Sequence, residues 1–281
     1  MPLIAALQMV SGPHVEANLL EAERLIARAA DAGAKLVVLP ENFALMGRRE
    51  ADKVAARETP GDGPLQHFLA AQAARRQLWL VGGTIPLAAS DDRRVRASCL
   101  LYDDQGRLAA RYDKIHLFDV QIVDSGERYA ESATIEPGGQ PVVADTPFGR
   151  LGLAVCYDLR FPEQFRGMVD QGMELLALPA AFTAITGQAH WEPLLRARAI
   201  ENLCYVVAAA QSGRHANGRE TYGHSLIIDP WGVILEQLPS GPGVVVAEFN
   251  PGRLEHIRRQ FPALQHRRLS GRSASQEEPH D

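Results

Sequence analysis

Apolar positions along the chain change their spacing in a regular way. Leu3–Val10 is an almost unbroken apolar run, as a buried strand requires, and Asn18–Ala32 spaces Leu19, Leu20, Leu25 and Ile26 as an amphipathic helix does. Gly33 follows in the position where helices stop. Lys35–Pro40 is a short apolar strand running into Glu41. Beyond the turn Gly61-Asp62-Gly63-Pro64, the residues Leu65, Phe68, Leu69 and Ala73 predict a second helix, and Leu78–Ile85 the next strand. The connections are too long for hairpins, so two α/β units open the chain.

The pattern then shifts. Ser98–Tyr102 and Arg107–Tyr112 flank Asp103–Gly106, and Val142–Thr146 and Leu151–Cys156 flank Pro147–Gly149, which are hairpin signals. After Cys156 the α/β rhythm returns: helix Pro162–Gln171, strand Leu175–Pro179, helix Ala189–Asn202 and strand Tyr205–Ala210. A last hairpin pairs His224–Asp229 with Gly232–Gln237 through Pro230-Trp231, and strand Val244–Phe249 follows. Helix-flanked strands at both ends with hairpins between them predict two packed mixed sheets covered by helices. No repeat period or internal linker interrupts residues 1–270, which read as a single domain, and the polar stretch 271–281 reads as a disordered tail.

Composition narrows the function classes. With 46% hydrophobic and 22% charged residues over 281 positions, the chain can bury a large core without disulfide or metal staples. A net charge of -5 leaves no basic excess for a nucleic-acid partner. His266-Arg267-Arg268 is the one compact basic run, and such runs are usually solvated surface. The three cysteines, Cys99, Cys156 and Cys204, form no CxxC pair, and the nine histidines show no HExxH spacing. Together with the lack of a long apolar segment, this predicts a cytoplasmic protein with no membrane span, no metal and no cofactor. Gly61-Asp62-Gly63-Pro64 lacks the spacing of a phosphate-binding loop and reads as a turn.

Three residues carry the candidate chemistry. Cys156 ends an apolar strand and opens a turn, a place where a nucleophile is held rigidly near backbone N–H groups. Glu41 ends another strand, and Lys114 follows a third. Each has a plainer reading: a small buried hydrophobe for Cys156, as for Cys99 and Cys204, a capping or solvated acid for Glu41, and a solvated cation for Lys114. Their joint occurrence is more informative. A thiol needs a base to attack, and attack on an amide carbonyl creates an oxyanion that an ammonium group can hold.

The runs Leu39-Pro-Glu-Asn, Tyr112-Asp-Lys-Ile-His-Leu-Phe-Asp and Ala154-Val-Cys-Tyr-Asp-Leu-Arg-Phe-Pro-Glu resemble the nitrilase superfamily of carbon–nitrogen hydrolases. That resemblance implies an α/β fold, a four-layer αββα sandwich of two mixed sheets flanked by helices. It also implies a Glu41–Lys114–Cys156 triad, a supporting glutamate at Glu131 with Glu127 as competitor, and the backbone N–H of Tyr157 as oxyanion donor. Ile185-Thr-Gly-Gln-Ala-His-Trp-Glu, Leu195–Glu201 and Tyr222-Gly-His-Ser look most like the deaminated glutathione amidase branch, whose substrate is glutathione with its α-amino group replaced by a ketone. The expected reaction releases 2-oxoglutarate and cysteinylglycine. The alternatives are an ω-amidase acting on 2-oxoglutaramate or succinamate, or a nitrilase.

A keto-acid substrate needs an anchor for its carboxylate, and Arg160 with Thr186 is the candidate pair, unless Arg160 instead pairs with Asp158 or Glu163. The segment Asn42–Arg48 departs from the branch and is expected to alter the pocket mouth. The resemblance also implies a homodimer or higher homo-oligomer, for which the apolar residues Phe165, Met168, Val169, Trp191, Leu194 and Leu195 are candidate contacts unless they all point to the sheet. Two other classes compete with the enzyme reading: a catalytically silent interaction module and a phosphate or nucleotide binder.

Overall fold

The computed structural model describes residues 1–122 and 126–269; the expected tail 271–281 lies outside them. Two large sheets form its centre. The first runs in the order Gly243–Glu248, Leu3–Gln8, Ala34–Val38, Trp79–Val81, Val95–Tyr102, Ile85–Ala88, and Leu108–Asp113 pairs with the free edge of Val95–Tyr102. The second runs Ile234–Leu238, Ser225–Ile228, Tyr205–Ala210, Leu175–Ala180, Gly149–Leu153, Val142–Thr146. Both are mixed. Leu3–Gln8, Ala34–Val38 and Trp79–Val81 are parallel, as are Gly149–Leu153, Leu175–Ala180 and Tyr205–Ala210, while the outer strands join antiparallel.

The unbroken apolar runs are explained by burial on both faces. Side chains alternate along a strand, so Ile4, Ala6, Leu36 and Val38 face the second sheet, where they share a core with Leu151, Ala177, Val207 and Ile227. Ala5, Leu7, Val37 and Leu39 face the other way, into a core closed by Ala22, Leu25 and Ile26 of helix Val15–Asp31 and by Leu65, Leu69 and Ala73 of helix Pro64–Arg76. Helices Pro162–Asp170 and Ala184–Asn202 pack on one another, and the longer one lies on the outside of the second sheet. The result is the expected four-layer αββα arrangement.

The structure departs from the sequence reading in places that matter for the site. The single strand expected over Leu78–Ile85 is two, Trp79–Val81 and Ile85–Ala88, which pair with successive parts of Val95–Tyr102. Between them Gly83 adopts a φ of +58°, and a Cβ there would lie 2.1 Å from the carbonyl oxygen of Pro40. The break therefore lets the chain leading to Glu41 pass close by, and Thr84 Oγ1 accepts a hydrogen bond from Asn42 N–H at 2.8 Å.

The helix expected from Ala189 begins at Ala184, because Thr183 caps it and accepts from Thr186 N–H. Thr186 thus lies in the first helical turn rather than in a loop. Further elements went unread: helix Pro251–Gln260, capped by Asn250, and the hairpins Asp119–Ile122 with Glu127–Ala130 and Ser212–Arg214 with Glu220–Tyr222. The sequence did announce two of these, through Asn250-Pro251 as a helix start and Asn217-Gly218 as a hairpin turn.

The six apolar residues offered as contacts between subunits belong to the core instead. Phe165, Met168, Trp191 and Leu195 are fully buried, and Val169 and Leu194 pack against the same core. Gly61–Pro64 is a turn into helix Pro64–Arg76, with Glu58 accepting from the helix's first free N–H groups. Arg267 lies at the surface in an ion pair with Asp170.

Candidate active site

Parallel strands of both sheets end at one place. Glu41 follows Ala34–Val38, Cys156 follows Gly149–Leu153, and Ala181 follows Leu175–Ala180. Gln211, following Tyr205–Ala210, donates through its side chain to the carbonyl of Glu41 at 3.1 Å, which ties the end of one sheet to the end of the other. Lys114 comes in from the last residue of Leu108–Asp113, its own N–H bonded to Ala97 O.

The buried Lys114 ammonium lies 2.8 Å from Glu41 Oε1 and 2.9 Å from both oxygens of Glu131. Glu131 is fixed independently, because Phe118 N–H donates to its Oε2 at 2.7 Å. Of the two competing glutamates, Glu131 is the one that reaches Lys114, whereas Glu127 accepts from the Tyr129 hydroxyl at 3.2 Å and lines the same cavity. Burial alone would drive Lys114 toward neutrality, but Glu131 and Glu41 outweigh it and hold the lysine pKa well above its ordinary value. Burial would raise the Glu131 pKa, yet the charges of Lys114 and Lys53 bring it below the usual glutamate value.

Cys156 opens the tight turn Cys156–Arg160 with a φ of +49°, a left-handed conformation that a non-glycine residue holds only when its surroundings impose it. Its thiol is pushed above the ordinary cysteine range, first by burial and then by the Glu41 carboxylate, while Lys114, the N–H of Ala181 and Arg219 oppose the shift. The resting Cys156 side chain is therefore a thiol with a carboxylate and an ammonium beside it. Cys99 and Cys204 are more deeply buried than Cys156, and among the described residues no glutamate–lysine pair accompanies them. Tyr157, the expected oxyanion donor, follows within the same turn, and the N–H of Ala181, which favours the charged form of the Cys156 sulfur, is a backbone group that the sequence did not single out.

What imposes the turn is Asp158, which is fully buried. Its Oδ2 accepts from Tyr112 hydroxyl at 2.6 Å and Val155 N–H at 2.8 Å, and its Oδ1 accepts from His116 N–H at 3.1 Å and lies 2.8 Å from His116 Nδ1. The carboxylate thus joins the segment carrying Lys114 to the turn carrying Cys156. Replacing Asp158 with Asn puts an amide donor among these donors. We expect a loss of roughly 1.5–3 kcal/mol of stability, read as a lower urea midpoint, together with a lower kcat. An unchanged midpoint and unchanged kcat would show that the turn holds its shape without this carboxylate.

The four groups face a cavity of about 490 Å³. Its lining includes Arg160 and Thr186 as well as Arg48, Glu50, Lys53, Glu127, Arg128 and Arg219, so cations outnumber carboxylates. Arg160 pairs with neither Asp158 nor Glu163. Its guanidinium sits 5.2 Å from the Phe182 ring centre and 5.8 Å from that of Tyr157, and bonds His190 Nδ1 at 3.2 Å. Thr186 Oγ1 bonds Thr183 Oγ1 at 2.7 Å. From the divergent segment Asn42–Arg48, only Asn42 and Arg48 reach the cavity, and Phe43–Met46 are buried.

Residues 3–259 match the carbon-nitrogen hydrolase family. The chain belongs to that family. The hydrolase is 48% identical to a protein of Synechocystis sp. named deaminated glutathione amidase, covering 94% of this chain and 97% of that one. It is 46% identical to a Yersinia enterocolitica protein of the same name, over 95% and 93% of the two chains. Among solved structures it superposes on Nit3 of Saccharomyces cerevisiae, described as a member of branch 10 of the nitrilase superfamily, with a TM-score of 0.85 and 31% identity over 95% of this chain and 97% of that one. No described helix of the hydrolase is long and apolar enough to cross a membrane.

Proposed function

We propose that the hydrolase cleaves a side-chain amide of a keto acid through a thioester on Cys156, and that its substrate is deaminated glutathione. The observation that carries the mechanism is Lys114, held at 2.8–2.9 Å between two carboxylates in the cavity that contains the thiol. Cys156 Sγ attacks the amide carbonyl carbon as Glu41 takes the thiol proton. Lys114 and the backbone N–H of Tyr157 hold the oxyanion, while Glu131 keeps the lysine in place. The tetrahedral adduct collapses by breaking the C–N bond, Glu41 protonates the departing amine, and a thioester remains. Water gives a proton to Glu41 and attacks the thioester; the acid leaves and the thiol is restored. No step requires a metal or an organic cofactor.

The keto-acid side is assigned to Arg160 and Thr186. Both line the cavity, and Arg160 has no carboxylate partner in the protein among the described residues. A planar guanidinium grips a carboxylate through two parallel bonds that lysine cannot reproduce. Arg160→Lys should therefore raise KM for keto-acid amides roughly ten- to a hundredfold. Steady-state kinetics against an amide lacking the carboxylate provide the check: an equal loss on both substrates would place the anchor elsewhere.

The substrate assignment is tested by measuring cysteinylglycine and ammonia release side by side on deaminated glutathione, 2-oxoglutaramate and a simple nitrile. Preferential cysteinylglycine release supports it; preferential ammonia release from 2-oxoglutaramate favours the ω-amidase reading instead. We further propose one catalytic domain over 1–270, a cytoplasmic location and a homo-oligomer. The surface favouring self-association is an exposed apolar group: Ile200, Trp231, Val233 and Phe261. Gly232 abuts Ile200, and the Trp231 and Phe261 ring centres are 5.6 Å apart, so the group is contiguous. Sedimentation at micromolar concentration should give at least a dimer, and Trp231→Glu should weaken it; a wild-type monomer would rule it out.

A further inference from the structure

Two arginines bracket a row of aromatic rings in the cavity. Tyr129, Phe118 and Tyr157 lie in sequence, with centroids 5.0 Å apart at each step. Arg160 lies over Tyr157 at one end, at 5.8 Å, and Arg219 over Tyr129 at the other, at 5.2 Å. All five side chains line the cavity that holds Cys156.

Arg219 is set in place by structure the sequence reading overlooked. It closes the turn of the hairpin Ser212–Arg214 with Glu220–Tyr222, where Gly218 N–H bonds His215 O and Arg219 N–H bonds Asn217 Oδ1. Its Nη2 donates to the carbonyl of Ala181, while its Nε is buried without a hydrogen-bond partner. The hairpin is pressed onto the start of helix Ala184–Asn202, since a Cβ on Gly187 would lie 2.3 Å from Tyr222. The guanidinium is thus anchored by one edge without being saturated, and its charge reaches the Cys156 thiol and Glu50. Nε is shielded from the cavity, but the guanidinium lines it and has donors beyond the Nη2 bonded to Ala181, and such a cation beside the proposed nucleophile suits an acidic group on the ligand.

We infer that Arg219 binds a carboxylate on the leaving-group side of the scissile amide, so that the preferred substrate is an amide with an acidic group at each end, lying along the aromatic row between Arg160 and Arg219. This rests on the reading of Cys156 as the nucleophile and of Arg160 as the anchor of the acyl side. It separates the two substrate readings chemically. Deaminated glutathione carries a carboxylate on both sides of its scissile bond, whereas 2-oxoglutaramate releases only ammonia and offers Arg219 nothing.

The test compares deaminated glutathione, its analogue with the glycine carboxylate converted to a carboxamide, and 2-oxoglutaramate. With the wild-type enzyme the carboxamide should show a KM roughly ten- to a hundredfold higher than the acid, with kcat little altered. In Arg219→Gln the ratio of kcat/KM for the acid over that for 2-oxoglutaramate should fall by the same factor, and Arg219→Lys should recover part of it. If the wild-type enzyme treats acid and carboxamide alike, Arg219 does not read that carboxylate, a result independent of how any variant folds. If Arg219→Gln loses activity equally on both substrates, Arg219 serves only to hold the Ala181 carbonyl. If the wild-type enzyme turns over none of the three, the proposed function itself fails and the inference with it; turnover without discrimination overturns the inference alone.

Discussion

Replacing Cys156 with alanine should reduce turnover below about one per cent of the wild-type rate while leaving the fold intact. Only the sulfur is lost. Alanine keeps the Cβ, so the left-handed conformation at φ +49° is no harder to hold than before, and Asp158 still organises the turn. Removing one small buried atom costs about 1 kcal/mol or less. What disappears is the atom that forms the thioester in the proposed mechanism. Neither Glu41 nor Lys114 can take over: one is a carboxylate and the other an ammonium bonded to two carboxylates, so neither is a competent nucleophile toward an amide. Incubation with substrate and acid quenching should show an acyl adduct on the wild-type chain by mass spectrometry and none on the variant. A folded Cys156→Ala protein that retains more than about one per cent of activity would exclude the covalent route.

How much of this could be read from the sequence depended on how local the signal was. The interior strands Leu3–Gln8, Ala34–Val38, Leu175–Ala180 and Tyr205–Ala210 were legible because burial on both faces leaves continuous apolar runs. Glu41 and Cys156 stood out because each ends such a run. The strand expected over Leu78–Ile85 failed because hydropathy does not register the close approach of Pro40 that Gly83 permits. The apolar residues of helices Pro162–Asp170 and Ala184–Asn202 fit either a second subunit or the sheet in sequence, because a pattern cannot say which neighbour covers a face; the sheet and the neighbouring helix cover them here.

Residues acting through convergence were the hardest to see. Asp158 resembles any turn aspartate until Tyr112, His116 and Val155 are seen to donate to it. Arg219 lies in a polar hairpin whose short strands, Ser212–Arg214 and Glu220–Tyr222, give no alternation to detect, although Asn217-Gly218 marks the turn. Both depend on side chains distant in sequence, and such partners become legible only once the sheets have brought the segments together.

Lys114→Met should cause the next largest effect, in both rate and stability, and with a pH signature of its own. Methionine keeps the length and removes the charge. In the proposed mechanism Lys114 is an oxyanion donor, and loss of such a donor costs about 10²–10³ in kcat. Breaking a buried ion pair by deleting one partner costs about 3–5 kcal/mol, because Glu41 and Glu131 remain buried without their cation. In the wild-type protein the Glu131 pKa lies below its ordinary value, so this group's stabilisation is complete above about pH 4.3, the unfolded value, and fades as pH falls through the folded one. The raised pKa of Lys114 acts in the opposite window: its contribution is complete below the unfolded lysine value and fades only as pH rises through the folded one, above the working range. The contribution of Glu131 and Lys114 to wild-type stability is therefore flat between about pH 7 and pH 5.

Without Lys114, burial becomes the dominant influence on Glu131 and pushes its pKa upward, so protonation now favours the folded state. The variant should gain stability on going from pH 7 to pH 5, the reverse of ordinary acid denaturation. Adding Glu131→Gln should restore part of the lost stability at pH 7 and flatten this dependence, without restoring kcat. Urea denaturation at the two pH values, on wild type, single and double variants, measures all three effects. Parallel profiles for wild type and Lys114→Met would mean that Glu131 does not depend on Lys114 for its charge, and the pairing seen at 2.9 Å would then be incidental to both stability and catalysis.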